Sequence, residues 1–366
     1  MNIGIDGRSF LNNRTGIGRY VWQLCKELDK LLPDAQFFVY SHLPIEMPVT
    51  SQRWRLRVDT APFARFMKPI LWLKYRCGCL CKKDKLDVFW GAATFLPTLQ
   101  NKVKKIITVY DLSYVITPNS MGILHRQAFK LYFKKDLYKA DAIMTISDGT
   151  AQRLETIFNI KTSLIIKPAI DSSFKKAGDE EINECLNKYN IKRPYILAVA
   201  TWEPRKNLER LVKTFQDMKK EGLVPAHTLV LVGGRGWKDS KIAAIIKNDS
   251  GMILPLGFVS DTHLAPLYSG SDLFVFPSEY EGFGMPVLEA RACGAQVVTS
   301  DTPELREAGG DDAIYVTPTS HGIRNGILKA LEQSGKKEEK SMLFSNWEDS
   351  GKIIANILKR ETFCDC

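Results

Sequence analysis

Short runs of apolar residues recur along the chain, and between them apolar residues are spaced three or four positions apart. A short apolar run bounded by turn residues is typical of a strand buried on both faces, and the wider spacing is typical of a helix with one buried face. Val21, Leu24, Leu28 and Leu31 show the helical spacing soon after the first apolar run. We predict strands at residues 3–6, 37–40, 88–91, 106–109, 142–146, 195–199, 228–232, 253–258, 273–276 and 296–299.

Strands that alternate with helices predict a parallel sheet with helices on both faces, the doubly wound α/β arrangement. The alternation stops in a polar stretch at residues 171–193 and starts again at Tyr195, so we place a domain boundary inside that stretch. Residues 1–172 and residues 173–345 are each long enough for a Rossmann-like domain with its own core. Ligands of such sheets bind beyond the carboxyl ends of the strands.

The composition, 45% hydrophobic and 25% charged residues, is that of a globular protein without bulk disorder. No apolar run reaches the length of about 18 residues that a membrane-spanning helix needs, and the N-terminus lacks the features of a secretory signal. We therefore expect a cytoplasmic protein whose eight cysteines are thiols. The net charge of +10 would suit nucleic acid, anionic lipid or phosphorylated substrates, and charge alone does not choose among them.

The most informative stretch is residues 271–290. Its apolar run ends at Pro277, Gly282 and Gly284 then supply a flexible loop, and Pro286 stands where proline is tolerated, in a first helical turn. Strand, glycine loop and helix place backbone N–H groups and the positive end of a helix against an anionic ligand.

Two carboxylates frame this loop, Glu281 and Glu289, with seven residues between them. A turn followed by a surface glutamate would explain such a spacing by itself. With Gly-Phe-Gly-Met-Pro between them, however, the stretch resembles the signature of retaining glycosyltransferase family four. The resemblance implies that Glu281, at a loop edge outside the core, holds the hydroxyls of the donor sugar. It also implies that the loop Gly282, Phe283 and Gly284 contacts the same region through backbone N–H groups, and that Glu289 accepts from the nucleotide ribose.

The family resemblance implies an architecture as well as a site. Its members have the GT-B arrangement, in which two doubly wound Rossmann-like domains face each other across a cleft. Residues 346–366 would then end the chain with a helix that crosses back to the first domain. The second domain, residues 173–345, would bind the nucleotide sugar.

Adjacent cations follow the strand predicted at residues 195–199. Arg205 and Lys206 come directly after Pro204, which is consistent with the start of a helix. Two solvated surface cations would be the plain interpretation. Glu-Pro-Arg-Lys-Asn in this place looks like the family's diphosphate-binding element, which implies that Arg205 and Lys206 hold the leaving phosphates.

Two further loops of the second domain are candidates for contacts with the donor. Gly233 opens a glycine-rich loop after a predicted strand and could face the ligand. The segment around Phe258 resembles the family element whose backbone reads the nucleotide base.

The N-terminal loop carries a second resemblance. Gly16 and Gly18 lie between the first strand and the first helix, and a simple tight turn would explain that spacing alone. Ile-Asp-Gly-Arg followed by Thr-Gly-Ile-Gly-Arg-Tyr, however, looks like the signature of a mannosyltransferase-like branch that serves bacterial O-antigen and polysaccharide biosynthesis. In that branch the loop lies against the donor's phosphates and sugar.

Tyr110 and Asp111 fall where the family often has a His-Asp pair beside the transferred sugar. A tyrosine can donate a hydrogen bond to a sugar hydroxyl, but it does not titrate near neutrality as histidine does. The resemblance therefore carries only Asp111 over to this chain.

No metal or cofactor is expected, and a nucleotide diphosphate sugar would be the co-substrate. The sequence contains no Asp-x-Asp, so cationic side chains and helix N-termini would have to meet the phosphate charge. Cys77, Cys79 and Cys81 form a dense group and Cys364 and Cys366 end the chain, but these spacings do not complete a four-ligand zinc site.

Residues 61–85 mix large apolar side chains with seven lysines and arginines. A basic, aromatic-rich amphipathic segment can lie in a membrane interface, and it can equally be a core-facing helix with a solvated basic face. Because many members of the family glycosylate lipid-linked acceptors, the resemblance favours peripheral association with the inner face of the cytoplasmic membrane.

The sequence thus predicts a metal-independent, retaining hexosyltransferase whose acceptor is a glycan or a lipid-linked oligosaccharide. Mannose from GDP-mannose is the favoured donor, with dTDP-rhamnose or a UDP-sugar as alternatives. A sugar-nucleotide epimerase or phosphorylase of the same fold is another possibility, which the intact pair of glutamates disfavours. A basic nucleic-acid-binding protein would also explain the charge, but no recognised nucleic-acid module is present.

Overall fold

The computed structural model describes residues 1–11, 16–236, 240–249, 251–333 and 345–359. Within these ranges the chain forms two compact units, one of residues Met1–Ala169 with the C-terminal helix, the other of residues from Ile170 to Gln333. Each unit contains one parallel sheet with helices between its strands. The predicted α/β fold class is therefore confirmed.

The first unit contains a seven-stranded sheet in the order β3-β2-β1-β4-β5-β6-β7. Its strands are β1 (Asn2–Asp6), β2 (Gln36–Ser41), β3 (Trp54–Val58), β4 (Val88–Gly91), β5 (Lys104–Val109), β6 (Ala142–Thr145) and β7 (Leu164–Ile165). Its helices before the second unit are α1 (Gly16–Leu31), α2 (Pro69–Trp72), α3 (Gly78–Cys81), α4 (Ser113–Ile116), α5 (Ile123–Leu137) and α6 (Asp148–Phe158). Helix α6 is capped at its N-terminus by Ser147, whose side chain accepts a hydrogen bond from the Thr150 N–H.

The second unit contains a six-stranded sheet in the order β10-β9-β8-β11-β12-β13. Its strands are β8 (Tyr195–Val199), β9 (Thr228–Val232), β10 (Ile253–Gly257), β11 (Leu273–Phe276), β12 (Val297–Ser300) and β13 (Ile314–Val316). Its helices are α7 (Asp179–Lys188), α8 (Leu208–Lys220), α9 (Ser240–Lys247), α10 (Asp261–Gly270), α11 (Met285–Ala292), α12 (Pro303–Gly309) and α13 (Ser320–Gln333). Central strands such as β11 are buried along their whole length, which explains their uninterrupted apolar sequence.

The last helix, α14 (Trp347–Lys359), packs against α1 of the first unit. A Cβ added at Gly351 would lie 2.5 Å from the Glu27 Cβ, so glycine permits this close approach. The Trp347 and Tyr20 rings meet edge to face 5.8 Å apart.

The glycines of the N-terminal motif do not form a loop, contrary to the prediction. Gly16 and Gly18 lie in the first turn of α1, where Gly16 is exposed and Gly18 is buried. The motif residues Arg14 and Thr15 lie outside the described ranges.

Residues 61–85 do not form one amphipathic helix. They form a 3₁₀ turn (Ala64–Phe66), α2, a π-helical turn (Leu73–Cys77) and α3. Trp72, Leu73 and Cys77 are fully buried in the core of the first unit. The interpretation of this segment as facing the core is therefore correct for these three residues.

A buried carboxylate fixes this segment to the sheet. The Trp72 Nε1–H donates to Asp59 Oδ2 at 2.9 Å, and Arg76 donates to both oxygens of Asp59 at 3.0 Å. Lys74 forms a second buried ion pair, with Asp136 of α5. Two of the seven cations counted from the sequence are thus structural.

Cys77 and Cys81 are buried with their sulfurs 3.9 Å apart, while Cys79 is exposed. Burial raises the pKa of the Cys77 thiol. In the part of the chain that the structure describes, no group of histidine, cysteine and acidic residues is arranged to hold a metal ion. Cys364 and Cys366 lie outside that part. None of the described helices combines the length and the apolar character needed to cross a bilayer.

Candidate active site

The sheet of the second unit changes winding direction between β8 and β11. From β8 the chain continues to β9 on one side, and it later returns to β11 on the other side of β8. Loops that leave neighbouring strands in opposite directions open a crevice at their carboxyl ends, which is where ligands of doubly wound sheets bind. Arg205 and Lys206 follow β8, and Glu281 follows β11, so three predicted site residues lie at this switch point.

The loop after β8 is shaped by Pro204 and Asn207. Residues Pro204–Lys206 form a 3₁₀ turn, and helix α8 begins only at Leu208, two residues after the cations. Asn207 adopts a left-handed conformation with φ of 58°, which asparagine tolerates better than most residues. Its side-chain amide donates to the Pro277 carbonyl at 3.1 Å and to the Pro318 carbonyl at 2.9 Å. Asn207 thereby ties the cation-bearing turn to the end of β11.

The two loops are also joined through their backbones. The Arg205 carbonyl accepts a hydrogen bond from the Glu279 N–H at 2.8 Å and another from the Ser278 hydroxyl at 3.0 Å. Ser278 is fully buried, although it follows the strand at a position where loops usually reach the surface. Neither Ser278 nor Asn207 was singled out from the sequence. The only sequence feature that could have indicated their role is a small polar residue in the loop after a buried strand.

The carboxylate of Glu281 is the centre of the site. Its Oε1 accepts from the Lys206 ammonium at 2.5 Å and from the Ser278 hydroxyl at 2.6 Å, and its Oε2 accepts from Arg205 at 2.9 Å. Glu203 forms a further ion pair with the Arg205 guanidinium, at 3.2 Å. Glu281 is only 7% exposed, so this is a buried network and not a loop edge.

This burial corrects the sequence-based view of Glu281 as a carboxylate outside the core. The cause is the pair of cations, because a buried carboxylate is tolerated when it is paired and fully hydrogen-bonded. One side chain therefore holds Arg205 and Lys206 at fixed positions, 76 and 75 residues away along the chain.

Protonation of the network follows from the same contacts. Burial alone would raise the pKa of Glu281, but the charges of Arg205 and Lys206 and the hydrogen bonds from Lys206 and Ser278 outweigh it and lower the pKa to about 2. Burial lowers the pKa of Lys206, and the Arg205 charge adds to this, while Glu281 opposes it. Glu281 is in contact with two cations, whereas Lys206 contacts one carboxylate and has the like charge of Arg205 beside it.

The predicted glycine loop leads from Glu281 into helix α11. Gly284 has φ of 121°, and a Cβ there would lie 2.7 Å from the Leu305 side chain, so only glycine fits before the helix. Gly282 and Phe283 are buried beside it. Glu289 is buried one turn into α11, and its Oε2 accepts from the Tyr268 hydroxyl at 3.2 Å.

Two predicted donor contacts lie at the ends of the neighbouring strands. The Gly233 N–H donates to the Gly257 carbonyl at 2.7 Å, which brings the loop after β9 against the end of β10. Gly233 has φ of 129°, and a Cβ there would lie 2.1 Å from the Ala200 carbonyl oxygen. Phe258 follows directly and is 84% exposed, an aromatic ring free of packing at the carboxyl edge of the sheet.

The first unit carries its own polar group at a switch point, between β1 and β4. Arg8 forms a bidentate ion pair with the fully buried Asp6, at 2.9 Å and 2.6 Å, and donates to the Ala93 carbonyl at 2.8 Å. It therefore bridges the loops after these two strands. Arg8 was not singled out as a site residue.

Asp111 lies at the end of β5 and accepts from the Ser113 N–H at 2.8 Å. The hydroxyl of the buried Tyr110 donates to the Ala92 carbonyl at 2.7 Å, so its proton is not directed at a ligand as the sequence had suggested. His125 of α5 stacks on Phe129, with ring centres 5.1 Å apart, and its charge is influenced by Asp111. Burial and the charge of Arg8 lower the pKa of His125, and the carboxylate of Asp111 opposes this.

The comparison with known families agrees with the motif around Glu281. Residues 181–343, which contain the whole cluster, match the family model described as glycosyl transferases group 1. The resemblance to this family is confirmed, and the protein is a glycosyltransferase.

Among curated relatives, the chain is 29% identical to O-antigen chain mannosyltransferase B of Escherichia coli over 345 residues, 88% of this chain and 89% of that protein. It is 26% identical over 276 residues to O-antigen chain mannosyltransferase RfbU of Salmonella typhimurium, covering 73% of this chain and 72% of the relative. It is 32% identical over 238 residues to the serotype-specific mannosyltransferase WbdA of Escherichia coli. That match covers 62% of this chain but only 29% of WbdA.

Solved structures share the fold at low sequence identity. Sucrose-phosphate synthase of Thermosynechococcus elongatus matches with a TM-score of 0.72 and 17% identity, covering 98% of this chain and 94% of that one. WaaG, a glycosyltransferase involved in lipopolysaccharide biosynthesis, matches with a TM-score of 0.69 and 16% identity over 99% of this chain and 96% of that one. These similarities confirm the GT-B fold class.

Proposed function

We propose that this glycosyltransferase moves mannose from GDP-mannose to a hydroxyl of a lipid-linked glycan during synthesis of a cell-surface polysaccharide. The observation that carries the proposal is the Glu281 cluster with Arg205 and Lys206 at the switch point of the sheet. The choice of mannose is supported by the similarity to O-antigen chain mannosyltransferase B over 88% of this chain.

The proposed reaction retains the anomeric configuration. The bond between the anomeric carbon and the diphosphate oxygen breaks, and its electron pair leaves with the diphosphate. The acceptor oxygen bonds to the same face of the anomeric carbon, and its proton passes to the leaving phosphate. Arg205 and Lys206 lower the barrier because they offer fixed positive charge where negative charge develops.

Glu281 has two roles in this proposal. It holds both cations in place, and it accepts hydrogen bonds from hydroxyls of the donor sugar. A carboxylate has about four lone-pair sites, and the contacts of Glu281 with Lys206, Ser278 and Arg205 use three of them. Backbone N–H groups of Phe283 and Gly284 serve the same region.

The remaining predicted residues divide between the nucleotide and the acceptor. Glu289 accepts from the ribose, and the loops at Gly233 and Phe258 meet the base. In the first unit, two elements contact the sugar and the acceptor. They are the start of α1, with Gly16 and Gly18, and the carboxylate of Asp111. The acceptor's lipid would hold the protein at the inner face of the cytoplasmic membrane.

A panel of nucleotide sugars tests the donor. GDP-mannose at about 100 times its dissociation constant is expected to add about 2.7 kcal/mol to the free energy of unfolding, visible as a rise in melting temperature. UDP-glucose and dTDP-rhamnose are the competing donors, and guanosine is the control for the base alone. Stabilisation by another nucleotide sugar would change the donor. No stabilisation by any of them, together with RNA binding that falls steeply with salt, would overturn the proposal.

Transfer is expected to survive a metal chelator. Arg205 and Lys206 would supply the positive charge that a divalent cation supplies in other transferases. The measurement is the rate of sugar transfer before and after treatment with EDTA, with a magnesium-dependent kinase as a control for chelation. Loss of activity that magnesium or manganese restores would contradict metal independence.

A further inference from the structure

Large apolar side chains are exposed on two neighbouring elements of the first unit, residues 61–81 and helix α5 with the residue that follows it. Across the described residues, fifteen large apolar side chains are exposed, and eight of them belong to these two elements. Each of the eight exposes between 40% and 75% of its surface. They are Phe63, Phe66, Leu71, Tyr75, Ile123, Leu124, Leu131 and Tyr138.

Helix α5 is apolar on both of its faces. Phe129, Phe133 and Leu137 are buried in the core of the first unit. Leu124, Leu131 and Tyr138 lie at helical spacing on the exposed side. On this outer side the apolar residues are interleaved with lysines of the same helix, and exposed apolar residues gathered in this way mark an interaction surface.

The two elements form one continuous surface. The hydroxyls of Tyr75 and Tyr132 are 3.0 Å apart, and the Lys74 ammonium lies 5.0 Å from the centre of the Tyr132 ring. Lys74 also pairs with Asp136 of α5, which fixes the two elements side by side. Leu71 lies one turn before Tyr75, and Leu131 is next to Tyr132, so exposed apolar residues flank the seam on both sides.

The charge of this surface has a single sign. Residues 61–85 and 122–139 contain twelve lysines and arginines and two aspartates, a net charge of +10, which equals that of the whole chain. Both aspartates are buried in ion pairs, Asp84 with Arg57 and Asp136 with Lys74. Every exposed charged side chain of the two segments is therefore a cation. They are Arg65, Lys68, Lys82, Lys83, Lys85, Lys130, Lys134, Lys135 and Lys139.

We propose that residues 61–85 and the outer stripe of α5 together form a docking surface for an anionic lipid bilayer. Exposed leucine, isoleucine and phenylalanine side chains insert into the acyl boundary, and the surrounding lysines meet anionic headgroups. Exposed aliphatic side chains have no counterpart in a nucleic acid, which favours lipid over RNA as the partner. The inference deepens the proposed function, because it identifies where the enzyme would meet a membrane that carries its acceptor.

Co-sedimentation of the full chain with vesicles tests this surface. The wild type is expected to bind vesicles of phosphatidylcholine and phosphatidylglycerol, to ignore pure phosphatidylcholine, and to bind less as salt rises. Changing Lys130, Lys134 and Lys135 to serine is expected to weaken partition roughly a hundredfold, since each surface cation contributes about one kcal/mol. The control changes Lys241, Lys247 and Lys329, three exposed lysines of the second unit, and should bind like wild type.

A second variant tests the apolar contribution. Phe66→Ser with Leu124→Ser removes two of the most exposed apolar side chains of the surface, and is expected to weaken binding even at high salt. Phe258→Ser, which changes a still more exposed phenylalanine of the second unit, is the matched control and should leave vesicle binding unchanged. Unfolding midpoints show whether each variant keeps its fold. If the apolar variant does not fold, vesicle binding by the lysine variant alone tests the proposal.

Equal vesicle binding by the surface variants and their controls would overturn the proposal. So would RNA binding that the lysine variant loses while wild type ignores vesicles. GDP-mannose should raise the melting temperature of the lysine variant and of the apolar variant as much as it raises that of the wild type. If the protein binds GDP-mannose but does not dock on vesicles, the proposed surface is wrong and the proposed transferase stands. If it docks on vesicles through this surface but binds no nucleotide sugar, the surface stands and the proposed transferase is wrong.

Discussion

Replacing Glu281 by alanine is expected to abolish sugar transfer and also to lower the free energy of unfolding by about 3–5 kcal/mol. The variant leaves Arg205 and Lys206 buried without the carboxylate that pairs with both of them. Removing one partner of a buried ion pair is strongly destabilising because the remaining charge is uncompensated. Transfer fails for two reasons, since the cations lose their fixed positions and the donor sugar loses an acceptor.

Chemical denaturation and a transfer assay measure the two effects separately. The matched control is Glu279→Ala, two residues earlier, whose carboxylate is exposed and lies 3.7 Å from Arg210. An exposed ion pair contributes about 1 kcal/mol at most, so this variant should stay near wild type. Near-normal turnover by Glu281→Ala would remove Glu281 from the site, and unchanged stability would contradict the buried network.

Glu281 also makes acid stability a test of the cluster. Its pKa is lowered from 4.5 to about 2 in the folded protein, so the carboxylate stabilises the fold above pH 4.5 and this stabilisation is lost as the pH falls toward 2. The shift corresponds to about 3 kcal/mol. Glu281→Gln cannot titrate, so its stability should lack this part of the acid-dependent loss. Parallel curves for wild type and Glu281→Gln between these pH values would contradict the assignment.

The fold could be predicted where burial is complete. Central strands such as β11 are covered on both faces, and their sequences are therefore uninterrupted apolar runs. Strand β3 was missed because it is an edge strand in which Arg55 and Arg57 alternate with apolar residues. Only its pairing with β2 distinguishes such a segment from a loop.

Residues 61–85 were hard to predict for a different reason. Their apolar side chains divide between the core and the surface, so no single helical period describes them. Asp59 and Asp136, outside the segment, decide which cations turn inward. Such long-range partners are invisible in local spacing.

The candidate site shows the same limit. The motifs identified Glu281, Arg205 and Lys206 as separate contacts to a ligand, each with its own role. That they bind one another depends on the switch point between β8 and β11, which brings together loops about 75 residues apart in sequence. Ser278 and Asn207, which hold the loops together, became apparent only from this geometry.

Lys206→Ala is expected to raise the barrier to transfer by about 2–4 kcal/mol, which lowers kcat/KM roughly 30- to 1000-fold. The ammonium is held 2.5 Å from Glu281 and 5.3 Å from the centre of the Phe276 ring, so it is a fixed and largely buried charge. Its loss should cost the fold less than the loss of Glu281, because Glu281 keeps its hydrogen bonds from Arg205 and Ser278. Burial already lowers the pKa of Lys206, so the charged form is maintained at some expense to stability.

Steady-state kinetics with the donor and acceptor varied in turn, together with calorimetric binding of GDP, measure the effect of Lys206→Ala. We expect kcat to fall and GDP to bind more weakly, because the lysine acts on the diphosphate both as a leaving group and as a product. Lys213→Ala is the control, since Lys213 lies in α8, the helix that follows the Lys206 turn, but is exposed and pairs with Glu209. A change confined to the KM of the acceptor would assign Lys206 to the other substrate, and unchanged kinetics would show that the buried cluster serves the fold alone.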